Sequence, residues 1–213
     1  MAFSLPKIYP ITDVRLAGLS HADQVRQFAE GGATLIQIRE KEANSREFFE
    51  AVTESLSVAE PLGAKIIVND RVDIAMAAKA HGVHLGQDDI SPDDARKLLG
   101  ADAIIGFSTH SIEQALKAAK LSLDYIAFGP IFSTTTKENP DPIVGLDGLP
   151  AVREAIGSIP LVAIGGINEG NLPDVLTAGA DSVAIISALF TEAPDIKNRL
   201  VQLNEKANSV KQT

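Results

Sequence analysis

Eight short apolar runs recur along the chain: "KIYPI", "TLIQI", "KIIV", "GVHLG", "AIIGF", "DYIAFG", "PLVAIGG" and "DSVAIIS". Most are rich in β-branched residues and nearly continuous in hydrophobicity, the pattern of parallel strands covered on both faces. Amphipathic segments separate them. Ser20 with Asp23 caps a segment whose apolar stripe is Val25, Phe28 and Ala29, and Asn44 with Glu47 precedes Phe48, Phe49, Val52 and Leu56. Ser91 and Pro92 open a third segment that Gly100 ends. Ser111 with Gln114 opens another, and Gly179 closes one running from about Leu172. Strand and helix alternate throughout.

Eight strand–helix units in 213 residues leave about 27 residues for each, which fits the compact end of the α/β class's (β/α)8 TIM barrel. One domain over residues 1–213 is expected, since no linker, repeat or low-complexity tract divides the chain. A doubly wound sheet is the alternative. It is disfavoured because no G-x-G-x-x-G follows the first strand and polar residues gather after nearly every strand, not at one switch point.

Composition narrows the function classes. At 45% hydrophobic and 22% charged residues the chain can bury a sizeable core. The absence of cysteine excludes disulfides, thiolate metal sites and a cysteine nucleophile. A formal charge of −9 argues against a general nucleic-acid surface, which depends on clustered Lys and Arg releasing counterions. No run of eighteen apolar residues is present, and "MAFSLPKIYPITD" lacks a long apolar run after a basic region, so no membrane contact and a cytoplasmic address are expected.

In a barrel of this kind the C-terminal strand ends converge on one face, where active sites are built. The exits carry Gln37, Arg39 and Lys41 after the second run, Asn69 and Asp70 after the third, and Gln87, Asp88 and Asp89 after the fourth. Ser108, Thr109 and His110 follow the fifth, and Thr134, Thr135, Thr136 and Lys137 the sixth. Gly165 and Gly166 follow the seventh, and Ser187 the eighth. The longest irregular stretch, residues 133–144, has Pro130, Pro140 and Pro142 in or near it, and loops of that length are commonly functional.

Asp70 and Asp89 leave adjacent strands, about 4.8 Å apart in any sheet, so both carboxylates can reach one ion. Mg²⁺ is the natural candidate, being held by one or two carboxylates plus substrate phosphates and water. The competing reading makes each Asp a helix N-cap, with Asp88 a solvated neighbour. Gln37, Arg39 and Lys41 alternate with Ile38 and Glu40, so period two aims all three into the mouth, where a row of donors calls for an anion. The competing reading there is a surface salt bridge such as Arg39 with Glu42. Gly165 and Gly166 permit close approach of a phosphate to backbone N–H groups, or simply make a tight turn. Two anion centres would suit two phosphorylated substrates. Among the histidines, His84 reads as a core or supporting residue, His21 and His81 as surface, and His110 as a mouth residue that could serve as acid or base or simply open a helix. No Ser-His-Asp arrangement follows from spacing.

Together "QIREK", "NDR", "GVHLGQDD", "GFSTH", "GPIFSTTTK", "AIGGI" and "IISA" closely resemble the thiamine phosphate synthase (thiamine-phosphate pyrophosphorylase) family, from about Tyr9 to Phe190. The resemblance implies an enzyme that joins 4-amino-2-methyl-5-(diphosphooxymethyl)pyrimidine to 4-methyl-5-(2-phosphooxyethyl)thiazole and releases pyrophosphate by dissociative substitution. It implies that Gln37, Arg39, Lys41 and Asn69, within a binding stretch that includes Ile38 and Glu40, hold the pyrimidine substrate and its diphosphate. Asp70 and Asp89 would bind Mg²⁺, and Ser108 and Lys137 would also contact the diphosphate. Thr134 and Thr136, with Thr135 between them, would meet the thiazole phosphate along with Gly165, Ile186 and Ser187. Arg39, Lys41, Ser108 and Lys137 are the implied catalytic groups. Thr135 departs from the family's frequent Thr-Pro-Thr-Lys loop. Two alternatives remain open: a thiazole tautomerase, which tends to lack the paired acids and the Thr-x-Thr-Lys loop, and a noncatalytic sensor of thiamine precursors. The number of copies in the assembly is open, a homodimer among the options.

Overall fold

A computed structural model describes residues 4–134, 136, 141–191 and 195–210. Each apolar run forms a strand: β1 (Ile8–Pro10), β2 (Leu35–Ile38), β3 (Lys65–Asn69), β4 (Gly82–Leu85), β5 (Ile104–Thr109), β6 (Tyr125–Phe128), β7 (Leu161–Ile164) and β8 (Ser182–Ile185). All are parallel, in the order β1-β8-β7-β6-β5-β4-β3-β2. The ring closes where the Thr12 amide donates to the Gln37 carbonyl at 2.9 Å, beside the Ile11–Gln37 bridge. The result is the (β/α)8 barrel expected from the spacing.

The helices are α1 (Val14–Ala17), α2 (His21–Glu30), α3 (Ser45–Ala59), α4 (Val72–Ala78), α5 (Pro92–Leu99), α6 (Ile112–Ala118), α7 (Gly148–Ile156), α8 (Leu172–Thr177) and α9 (Ile196–Ser209). Local chemistry starts them as the sequence indicates. Ser20, Ser91 and Ser111 accept N–H bonds at the heads of α2, α5 and α6, and Asn44 and Glu47 form a reciprocal capping box on α3. No helix among the described residues is long and apolar enough to cross a membrane.

Strand alternation divides the core in two. One parity, including Ile8, Ile36, Val68, Val83, Ile126 and Val183, packs between barrel and helices. The other, including Tyr9, Ile11, Leu35, Ile67, Ile104, Tyr125 and Val162, fills the barrel. At the N-terminal face Arg96 reaches Asp124 at 2.6 Å, and Asp124 also accepts the Ile105 amide. Arg153, Asp181 and the Leu161 amide repeat that strut two units on, so carboxylates before β6 and β8 pin their neighbours.

Interior volume is tightly allotted. Gly106 pairs with Tyr125 across β5 and β6, and a methyl group at Gly106 would lie 2.0 Å from the Tyr125 ring. Gly106→Ala is expected to destabilise the fold by about 1–3 kcal/mol through overpacking, read as a lower urea midpoint. An unchanged midpoint would mean that the ring has room to move.

Candidate active site

The C-terminal strand ends enclose a cavity of about 570 Å³. Gln37, Arg39, Lys41, Asn69, Asp70 and Asp89 line one side; Thr134, Thr136, Gly165, Gly166, Ile186 and Ser187 line the other, with Ser108 and His84 between. The structure thus brings together most of the residues singled out above. Three stand apart: Ile38 is fully buried in the layer between barrel and helices, Thr109 is buried with its hydroxyl donating to the Ala127 carbonyl, and the Glu40 carboxylate turns back onto its own loop. Thr135 and Lys137 lie outside the described residues.

The acidic pair has no capping role. Asp70 sits in the left-handed region (φ 60°), which Asp tolerates better than most residues, and Arg71 occupies the cap position of α4 with no side-chain cap. Asp89 accepts the Gly86 amide at 2.7 Å, whereas α5 is capped by Ser91. The two carboxylates approach within hydrogen-bonding reach. Burial pushes the Asp89 carboxyl up and the neighbouring Asp70 adds to the rise, against the lowering influence of the Gly86 amide and of Lys41. Lys41 Nζ also donates to Asp70. Two carboxylates crowded in this way, each a hard oxygen donor, fit a divalent cation such as Mg²⁺ that completes its shell with substrate oxygens and water. No group of three or more His, Cys, Asp or Glu able to hold a metal occurs among the described residues.

Charge around the cavity argues in the same direction. The described lining carries two full cations, Arg39 and Lys41, against the carboxylates of Asp70, Asp88, Asp89 and Asp141. A multiply charged anion entering such a site needs additional positive charge.

Arg39 is held from behind. Its amide donates to Thr12 Oγ1 at 3.2 Å and its guanidinium lies 3.9 Å from Asp13, while Glu42 pairs with Arg15, leaving Arg39 on the mouth. Glu40 braces this turn. Burial opposes its ionisation, but the Glu42, Ala43 and Lys41 amides together with His21 outweigh that and hold the carboxyl below its usual range. His21 is therefore not a surface residue. It is buried, with Nδ1 2.8 Å from Thr12 Oγ1 and Nε2 3.2 Å from Glu40, and burial lowers its pKa. His81 is also half-buried, its Nδ1 accepting the Ile66 amide.

The opposite wall is made by backbone contact. Gly165 and Gly166 both have positive φ, 101° and 65°; side chains there would meet Pro130 at 2.5 Å and the Ser133 carbonyl at 2.4 Å. Only glycine lets the turn after β7 lie against the loop after β6, so threonines and glycines share one surface. Thr136 N–H donates to Thr134 Oγ1 at 3.3 Å. Ile186 and Ser187 adjoin this wall, Ser187 opening a short 3₁₀ turn.

Between the walls Ser108 Oγ lies 2.8 Å from His84 Nε2. The pair is unlike a nucleophile and its base. Burial lowers the His84 pKa to about 4, only partly offset by Asp70, and Nδ1 faces the Tyr125 hydroxyl at 3.0 Å where a base would be oriented by a carboxylate. His110 Nδ1–H donates to the Gly129 carbonyl, and Nε2 lies 3.4 Å from Asp141. Tyr9, Tyr125 and Asp141 are cavity residues that sequence patterns did not single out. The tyrosines sit at inward parity in apolar strands, the one signal that could have marked them.

A family model described as Thiamine monophosphate synthase matches residues 8–189. A thiamine-phosphate synthase from Chloroflexus aurantiacus is 46% identical over 198 residues, covering 92% of this chain and 90% of that one. One from Koribacter versatilis is 45% identical over 206 residues, covering 93% and 96%. Among solved structures, a thiamine phosphate pyrophosphorylase from Pyrococcus furiosus superposes with a TM-score of 0.85 at 39% identity, covering 96% of each chain.

Proposed function

The chain belongs to the thiamine monophosphate synthase family, and we propose that its barrel mouth handles the family's two phosphorylated substrates at two separate anion centres. The reaction joins 4-amino-2-methyl-5-(diphosphooxymethyl)pyrimidine to 4-methyl-5-(2-phosphooxyethyl)thiazole, giving thiamine phosphate and pyrophosphate. One observation carries the division: cations and paired carboxylates on the β2–β4 side face a glycine and hydroxyl wall from β6–β8 across one cavity.

On the first side Gln37 and Asn69 would orient the pyrimidine, and Arg39, Lys41 and Ser108 would contact the diphosphate. Asp70 and Asp89 would hold Mg²⁺, which when bound supplies positive charge to diphosphate oxygens. As the C–O bond breaks, negative charge gathers on the departing diphosphate, and fixed cations lower the barrier because they need no reorganisation at that moment. Lys137, by its likeness to the family motif, would add a further cation. Thr134, Thr136, Gly165, Ile186 and Ser187 would hold the thiazole phosphate so that its ring nitrogen faces the cationic carbon. That nitrogen carries no proton to remove, so no general base is required. This agrees with a His84 too weakly basic for the task.

Incubation with both substrates and Mg²⁺ should yield thiamine phosphate and pyrophosphate in equal amounts by mass spectrometry. Isomerisation of a thiazole phosphate without the pyrimidine, and no condensation, would instead identify a tautomerase. Ser187→Ala should raise KM for the thiazole phosphate roughly fivefold, the effect of about 1 kcal/mol from one hydroxyl, with KM for the pyrimidine substrate little changed. Equal changes in both would contradict the two-centre division.

A further inference from the structure

Five side chains form one hydrogen-bonded line through the barrel. Gln37 Nε2 donates to the Tyr9 hydroxyl at 3.2 Å, and the Tyr9 and Tyr125 hydroxyls lie 3.0 Å apart. The Tyr125 hydroxyl is 3.0 Å from His84 Nδ1, and His84 Nε2 is 2.8 Å from Ser108 Oγ. The line runs from β2 to β5, with both ends on the cavity and the tyrosines buried between them. Tyr125 stacks on the His84 ring at 5.5 Å and meets Tyr9 edge-on at 5.8 Å, which fixes the rings that carry it.

Each hydroxyl in the line has one proton, so the direction of one link sets the next. A diphosphate oxygen offers lone pairs alone, so Ser108 can meet it only by donating. Ser108 Oγ must then accept from His84 Nε2–H. A buried imidazole whose two nitrogens face hydroxyls is neutral, so Nδ1 accepts from Tyr125. That uses the Tyr125 proton, so Tyr9 donates to Tyr125 and its own oxygen accepts from Gln37. Reversing the line would turn a serine lone pair toward the anion. We propose that this line is proton-ordered from Gln37 to Ser108, which makes His84 and Tyr125 positioning residues that hold Ser108 as a donor to the diphosphate. The inference rests on the reading of Ser108 given above.

Two measurements test it. Tyr125→Phe should lower kcat roughly tenfold while KM for the thiazole phosphate stays nearly constant, because a charge-assisted donor is lost on one side of the cavity. Ser108→Ala should cost at least as much, and Tyr125→Phe added to Ser108→Ala should cost nothing more, since its effect passes through the missing hydroxyl. Additive losses would mean that Tyr125 only supports the barrel, and would overturn the inference. The second measurement needs no folded variant beyond an assignment control. Long-range ¹H–¹⁵N spectra of the wild-type protein with inorganic pyrophosphate and Mg²⁺ should show His84 protonated at Nε2, its signals identified by their loss in His84→Gln. An Nδ1-protonated or doubly protonated ring would overturn the ordering even if Ser108→Ala is impaired. Wild-type kinetics for Ser108→Ala would instead remove the diphosphate reading of Ser108, and this inference with it.

Discussion

Asp89→Asn is expected to lower kcat/KM roughly a hundredfold, in the range seen when one preorganised group facing transition-state charge is removed, and Asp70→Asn to act similarly. Both are clean replacements. Asn tolerates the left-handed backbone at position 70 as Asp does, and at position 89 its amide oxygen can still accept the Gly86 N–H. Each variant removes a hard anionic oxygen, so the loss should be deepest at limiting Mg²⁺ and partly recovered at high Mg²⁺. Stability should move the other way. With one carboxylate neutral, the repulsion that helps raise the Asp89 pKa disappears, so unfolding midpoints should hold or rise. Variants that lose stability yet keep wild-type rates at limiting Mg²⁺ would make the pair a structural turn.

Arg39→Met is expected to have the other large effect, about a hundredfold on kcat/KM for the pyrimidine substrate, again as a lost preorganised charge. The side chain is largely buried with its guanidinium beside Asp13, and its backbone amide is tied to Thr12, so little ordering remains to be done when the anion arrives. Arg39→Lys should recover part of the rate, limited by losing the planar fork of donors. KM for the thiazole phosphate should change little in either variant. Steady-state kinetics with each substrate varied in turn checks this, and an equal effect on both substrates would place Arg39 between the centres.

What the sequence made legible follows from the range of the interactions involved. Apolar runs define parallel strands because burial on both faces leaves no polar alternation, and Ser20, Asn44, Ser91 and Ser111 mark helix starts because their partners lie two or three residues away. The mouth residues were legible because barrel topology converts strand exits into one surface. Longer-range pairings were not. His21 follows a cap at the head of a helix, and only the fold carries it under Thr12 and Glu40. His84 reads as a supporting residue by its place within a strand. That it touches Ser108 on one side and Tyr125 on the other depends on register across three strands. Arg96 with Asp124 and Arg153 with Asp181 bridge 28 positions each, and no local pattern pairs them.

A crystal structure with thiamine phosphate, pyrophosphate and Mg²⁺ would show whether the mouth divides two anions between two walls. The metal is expected between Asp70 and Asp89, with pyrophosphate against Arg39, Lys41 and Ser108, and the thiamine phosphate group on Gly165, Gly166 and Ser187. Both phosphate groups on one wall, or a metal away from the two aspartates, would contradict this arrangement.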